Sequence, residues 1–178
     1  RPIVTNGGAM TTSIRRAQFL RGDFNGRRSA PRPPWALPFE AFYDRCTRCD
    51  ACRSACPRGL IRPGVGGFPA VVFDRAACNF CAACVAACTT GALNPTLAGS
   101  APWTVKAHIE DHCLSVRGVL CRVCAEHCEA RAIRFRPSVG GRAQPLIDAI
   151  RCTGCGACRS VCPERAVVLI ETAAAPVT

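Results

Sequence analysis

Sixteen cysteines fall into four groups, and every thiol of the chain belongs to one of them. Three groups share the spacing C-x2-C-x2-C-x3-C: Cys46, Cys49, Cys52 and Cys56; Cys78, Cys81, Cys84 and Cys88; Cys152, Cys155, Cys158 and Cys162. The fourth group, Cys113, Cys121, Cys124 and Cys128, has seven residues in its first gap where the others have two. A pair of thiols suits a disulfide or a redox dithiol, and zinc with four thiolates favours two well-separated CxxC knuckles. Three thiols at every third position plus one more suit neither. The spacing predicts a guest larger than an ion.

C-x2-C-x2-C-x3-C is the spacing of bacterial ferredoxins, whose fourth cysteine ligates the other cluster of a pair. A thiolate every third residue turns a loop around one corner of a cubane, and a helix starting at the fourth cysteine carries that residue away. The prediction is therefore crossed. One cluster takes Cys46, Cys49, Cys52 and Cys88, and its mate Cys78, Cys81, Cys84 and Cys56. In the second half, Cys113, Cys121 and Cys124 join Cys162, and Cys152, Cys155 and Cys158 join Cys128. Four [4Fe-4S] clusters are expected. Pro57 and Pro163 follow their cysteines as this run predicts, whereas Thr89 and Glu129 stand in that place elsewhere and leave φ unrestrained. The third group stays open: its longer loop either bulges and still delivers Cys113, or leaves a labile three-cysteine site, or holds no cluster. His112 and His127 lie nearby, but with four cysteines present they read as surrounding or solvent-facing groups.

A cysteine share near 9% reads as a disulfide scaffold only in a secreted chain, and no apolar h-region with a small-residue cleavage site stands near residue 1. In a reducing compartment such thiols bind metal. No apolar run approaches the 18 residues of a membrane span, so a soluble cytoplasmic protein without membrane insertion is expected. Aromatic residues make up 6% of the chain and much of its hydrophobic content is Ala and Cys, so the core must be thin and metal binding must be coupled to folding. The formal charge of +11 counts each Cys as a neutral thiol. Four oxidised cubanes at about −2 each would bring +11 to about +3, which makes the basicity partly a counter-charge. No stacking-aromatic motif or recognition helix accompanies the arginines, so no nucleic acid is expected.

The fold class is α+β: two tandem bacterial-ferredoxin-like two-cluster modules with short strands and helices, plus a basic N-terminal arm. The arm spans 1–40, the modules 41–96 and 97–172, and a tail 173–178, with the Pro/Gly-rich NPTLAGSAPW between the modules. Within the arm, a short helix is expected from Ser13 to Leu20 and none over PRPPW. The arm reads either as a solubilising tail or as a docking segment for a partner. Each cysteine group ends in a related tail (CPRGLI, CTTGAL, CEARAI, CPERAV), read as one helical turn that packs an aliphatic side chain beside the site. GGFPAVVFDRAAC and GGRAQPLIDAIRC each read as a glycine turn and a short strand leading into the next loop. Arg48, Arg53, Arg122 and Arg159 either raise the reduction potential or merely solubilise the loops. There is no phosphate loop, no GxSxG and no acid or histidine pattern of a hydrolase; the chemistry left is one-electron transfer or cluster handling, with no substrate of its own.

RPPW, CTRCDAC, GGFPAVVF, CNFCAAC, the irregular CLSVRGVLCRVCAEHCEARAIRFRP and CTGCGAC together resemble the NapF family of ferredoxin-type proteins. The resemblance implies a cytoplasmic iron-sulfur protein encoded with periplasmic nitrate reductase. It implies a partner, the immature catalytic subunit NapA, whose [4Fe-4S] cluster it would help install or reduce before export. The residues alone support a plainer alternative, a soluble carrier that relays electrons to a reductase and assembles nothing. SIRRAQFLR also looks like a twin-arginine export signal one residue too long, with no hydrophobic region after it.

Overall fold

The computed structural model of the protein describes residues 30–96, 102–138 and 142–172. The expected helix from Ser13 to Leu20, the tail 173–178 and most of the basic arm lie outside the described residues. The elements are α1 (Phe39–Arg45), α2 (Ala51–Ser54), β1 (Ile61–Pro63), a single 3-10 turn (Val65–Gly67), β2 (Pro69–Val71), α3 (Ala83–Ala86), β3 (Val105–Ile109), α4 (Val123–Glu126), β4 (Ile133–Pro137), β5 (Ala143–Ile147), α5 (Ala157–Ser160) and β6 (Val167–Glu171). Among the described residues no helix is long and apolar enough to cross a membrane.

Left-handed backbone sets the repeat. In the regular groups, the second residue after the first cysteine and the first after the second lie at positive φ: Arg48 and Asp50, Phe80 and Ala82, Gly154 and Gly156. Alternating hands of backbone turn successive N–H groups into one concavity, the arrangement that cradles anions and iron-sulfur clusters. One helical turn follows in each group (α2, α3, α4 and α5), containing the third cysteine and ending before the fourth. A turn then closes it. The third residue beyond the last cysteine lies at positive φ (Gly59, Gly91, Arg131, Arg165) and donates its N–H to that cysteine's carbonyl at 3.0, 3.3, 2.8 and 3.1 Å.

This corrects two expectations. The helix does not start at the fourth cysteine, and the tail is not a helical turn. A residue in the left-handed region ends a helix, so the chain leaves the turn extended, into β1, β4 or β6. The aliphatic pair that each tail carries is nonetheless buried: Leu60 and Ile61, Ala92 and Leu93, Ala132 and Ile133, Ala166 and Val167.

Two modules of one plan result. In the first, β1 pairs antiparallel with β2, Ile61 opposite Val71. In the second, β4 pairs with β5, Ile133 opposite Ile147, and an outer pair β3–β6 sets Val105 opposite Glu171 and Ile109 opposite Val167. The first module's outer pair shrinks to one bridge, Ala36 with Leu93. Proline is the reason. Pro33, Pro34 and Pro38 flank Ala36 and have no N–H to extend a ladder. Residues 31, 33, 34 and 37 of this segment are buried, and the Val71 N–H donates to the Pro31 carbonyl at 2.7 Å.

The core is as thin as the composition predicts, and it is built around the thiols. One cluster holds Leu37, Phe42, Leu60, Ile61, Val71, Phe73, Cys84, Ala92 and Leu93; the other holds Ala107, Cys124, Ala132, Ile133, Cys152, Cys158 and Val167. The sequence reading did not anticipate α1. Its signal was present in the aromatic spacing of FEAFYDR behind Pro38, which puts Phe39, Phe42 and Tyr43 on one face. The Phe42 side chain is fully buried, edge-on to Tyr43 with ring centroids 5.4 Å apart.

Candidate metal centres

Four hollows lie inside the cysteine loops. Cys46, Cys49, Cys52 and Cys88 line one, and Cys56, Cys78, Cys81 and Cys84 line its neighbour. In the second module Cys113, Cys121, Cys124 and Cys162 line one cavity, and Cys128, Cys152, Cys155 and Cys158 the other. Every cavity is closed by three thiols of one loop and the last thiol of the partner loop. All sixteen cysteines are free thiols. Among the described residues no three His, Cys, Asp or Glu side chains are gathered tightly enough for a single metal ion. The donor set is all sulfur, the spacing is that of the ferredoxin run, and the walls are apolar, a combination that fits a sulfur-ligated cluster.

Helix-to-helix contact within each module, α2 on α3 and α4 on α5, carries the crossover. The third thiol of each loop sits on such a turn, and three of the four, Cys84, Cys124 and Cys158, are buried. Burial, reinforced by neighbouring thiols, pushes Cys84 and Cys158 up to about 12 and Cys52 and Cys124 up to about 11. For Cys52 and Cys124 the repelling thiols are their cavity partners: Cys46, Cys88 and Cys49 act on Cys52, and Cys113, Cys121 and Cys162 on Cys124. Cys49 is fully exposed, and its thiol is lowered, chiefly by the Ala51 backbone N–H. Four thiolates facing one another in an apolar hollow are unfavourable without a cation among them.

Backbone donors already point at sulfur. The Leu93 N–H lies 3.4 Å from Cys88 Sγ and the Ala132 N–H 3.3 Å from Cys128 Sγ. Both donors come from the strand-like exit after the fourth cysteine.

The irregular third loop brings Cys113 to its cavity by a compact turn. The Arg117 N–H donates to the Cys113 carbonyl at 3.0 Å, the Val119 N–H to the Leu114 carbonyl at 2.9 Å, and Gly118 turns at φ 93°. Ser115 pins the turn: its side chain is buried, and its hydroxyl donates to the Ala143 carbonyl at the start of β5. The left-handed residue after the second cysteine is missing here, Arg122 taking φ −136°. The insertion thus replaces backbone alternation as the means of placing the first thiol.

Neither histidine lines a cavity. The His127 ring nitrogen lies 3.0 Å from the Val123 carbonyl, and the His112 ring lies between Glu110 and the Glu164 carbonyl. The arginines do not act alike. Arg48 lies over the Phe68 ring at 5.1 Å, Arg122 over Phe135 at 5.8 Å, and Arg53 pairs with Asp50 at 3.2 Å. Arg159 is structural: its guanidinium donates to the Arg165 and Val167 carbonyls at 2.5 and 2.9 Å and holds the exit turn of its own loop.

Similarity to known proteins agrees with this architecture. The family model described as a 4Fe-4S dicluster domain matches twice, over residues 45–92 and 119–166; its second match starts after Cys113. The ferredoxin-type protein NapF of Haemophilus influenzae is 40% identical over 167 residues, covering 88% of this chain and 94% of that protein. NapF of Escherichia coli is 38% identical over 158 residues, covering 89% and 95%. The methylamine utilization ferredoxin-type protein MauM of Methylophilus methylotrophus is 34% identical over 150 residues, covering 75% of this chain and 66% of its own. No solved structure matches.

Proposed function

The chain belongs to the NapF family of ferredoxin-type iron-sulfur proteins, and from that premise we propose that its four cysteine sites each hold one [4Fe-4S] cluster used to mature the catalytic subunit of periplasmic nitrate reductase, NapA, in the cytoplasm. A bound cluster supplies one-electron chemistry. The protein's own residues do the rest. The sixteen thiols hold the clusters, the N–H groups of Leu93 and Ala132 direct a positive dipole at sulfur, and buried pairs such as Ala166 and Val167 exclude water. We assign the two modules to 41–96 and 97–172, with the basic arm and the tail on either side.

One observation carries the reading: each cavity is completed by a thiol from the partner loop, including the cavity served by the irregular one. Anaerobic purification with iron and sulfide analysis tests it. About sixteen irons per chain are expected from four cubanes; about twelve would mean that the Cys113 site holds none. Cys88→Ala should empty the site of Cys46, Cys49 and Cys52 and spare that of Cys78, Cys81 and Cys84.

Support for the assembly role comes from the family and from exposure. Cys49 and Cys81, one at each site of the first module, are exposed, so a partner can approach both clusters there. Deleting the gene in a nitrate-reducing host is the decisive assay. A maturation factor's loss leaves exported NapA short of its cluster. The second reading, an electron carrier without an assembly role, predicts NapA fully loaded but poorly reduced. One contact favours keeping it: the Cys78 N–H of the first module donates to the Cys155 carbonyl of the second at 2.8 Å.

A further inference from the structure

Two of the four sites meet. The Cys78 N–H donates to the Cys155 carbonyl at 2.8 Å, although these residues belong to different modules and line different cavities. The contact is built, not incidental. A Cβ at Gly156 would lie 2.0 Å from Phe73 Cδ1, and one at Gly154 would lie 2.2 Å from the Val105 carbonyl oxygen. Both glycines of TGCG therefore let the fourth cysteine loop press onto its neighbours. Trp103 closes the seam: it stands edge-on to Phe73 and Phe80, each at 5.7 Å between centroids, while its indole N–H donates to the Thr153 carbonyl at 2.9 Å. Asp74 of the first module faces Arg159 of the second at 4.0 Å.

Within each module the sites are neighbours as well. The turns that carry their third thiols pack together, α2 on α3 and α4 on α5, and each loop lends its last thiol to the other's cavity. Among the described residues, the cysteine loops that meet at the seam are the second of each module, so the sites fall in one order: Cys46/Cys49/Cys52/Cys88, then Cys56/Cys78/Cys81/Cys84, then Cys128/Cys152/Cys155/Cys158, then Cys113/Cys121/Cys124/Cys162.

We propose that these four sites form a single relay, and that the Cys78–Cys155 hydrogen bond, held by Phe73, Gly156 and Trp103, is the element that couples the modules. The proposal rests on the reading that each site holds a cluster, and it joins the modules into one conductor in place of two independent carriers. With clusters bound, the sixteen cysteines would hold four one-electron carriers in series; an electron passed between neighbours would oxidise one by one and reduce the next by one, with no proton moved and no bond changed. The first electron comes from a low-potential one-electron donor, and the last leaves to a one-electron acceptor on the partner protein.

The test compares the unaltered iron-loaded protein with the double variant Asp74→Lys/Trp103→Leu. Neither residue lines a cysteine cavity, so iron content should not change. After full reduction with dithionite, the EPR spectrum of the unaltered protein should show interaction broadening that extends across both modules. The variant should lose the inter-module part and resolve into two separate two-cluster patterns, at equal iron per chain. Unchanged broadening in a fully loaded variant overturns the relay and leaves the cluster assignment standing. Two separate patterns in the unaltered protein overturn it without any variant, which decides the case if the variant fails to load. Protein without iron overturns both readings together.

Discussion

Replacing Gly156 with alanine puts a methyl group where the Phe73 ring now lies. The added Cβ would stand 2.0 Å from Cδ1 and 2.6 Å from Cε1 and Cγ, and the ring, only 5% exposed, has no room to withdraw. Gly156 also lies at φ 81°, where a side chain costs about 1–2 kcal/mol. Gly59 is the matched control: its φ is 60° and a Cβ there meets nothing within 4 Å. Gly59→Ala should therefore show backbone strain alone, about 1–2 kcal/mol. Gly156→Ala adds overpacking of about 1–3 kcal/mol, for a total of about 2–5 kcal/mol. At about 2–4 °C per kcal/mol for a chain of this length, the control loses about 2–8 °C and Gly156→Ala about 4–20 °C. Unfolding that releases iron is irreversible, so both variants must be heated at one rate, anaerobically, following the bleaching of visible absorbance. Equal losses for the two variants would refute the packing of the seam.

Arg131 sits exposed at φ 48° in the turn where two other loops use glycine. Arg131→Gly removes strain of about 1–2 kcal/mol against an entropic cost of about 0.5–1 kcal/mol, so melting should rise by a few degrees in the same assay. Ser115→Ala strips the Ala143 carbonyl of its donor and should cost about 1–3 kcal/mol; bleaching at the Cys113 site should precede the rest, and unaltered iron retention would count against the pinning role. Chelation of iron should abolish the fold itself, because the hydrophobic clusters are small and built around thiols. Loss of far-ultraviolet ellipticity alongside colour is the expected result, and persistence of native ellipticity contradicts it.

The gathering of thiols was legible in the spacing, because a repeat of three leaves the backbone few ways to present consecutive sulfurs to one point. Strands after GGFP and GGRAQ were legible for a similar reason, as β-branched and aliphatic runs behind a glycine turn. The exit from each loop was not. Two exits place glycine at the left-handed position, but Arg131 and Arg165 take the same conformation, and arginine carries no sequence mark of it. The collapse of Cys113 onto its site depends on one buried hydroxyl, Ser115, which reads in sequence as a polar loop residue. The seam was hidden too. Nothing in TGCG announces that its glycines are small for the sake of Phe73, eighty-three positions earlier.

The two modules are latched with unequal strength. Five residues of β3 register against β6 in the second module, whereas prolines leave the first the single Ala36–Leu93 bridge among the described residues. Local opening takes the least tethered region first, so breathing concentrates at the end that holds Cys46 and exposed Cys49. That end is where oxygen should erode the protein earliest, and equally where a cubane could leave or enter without the far module having to loosen.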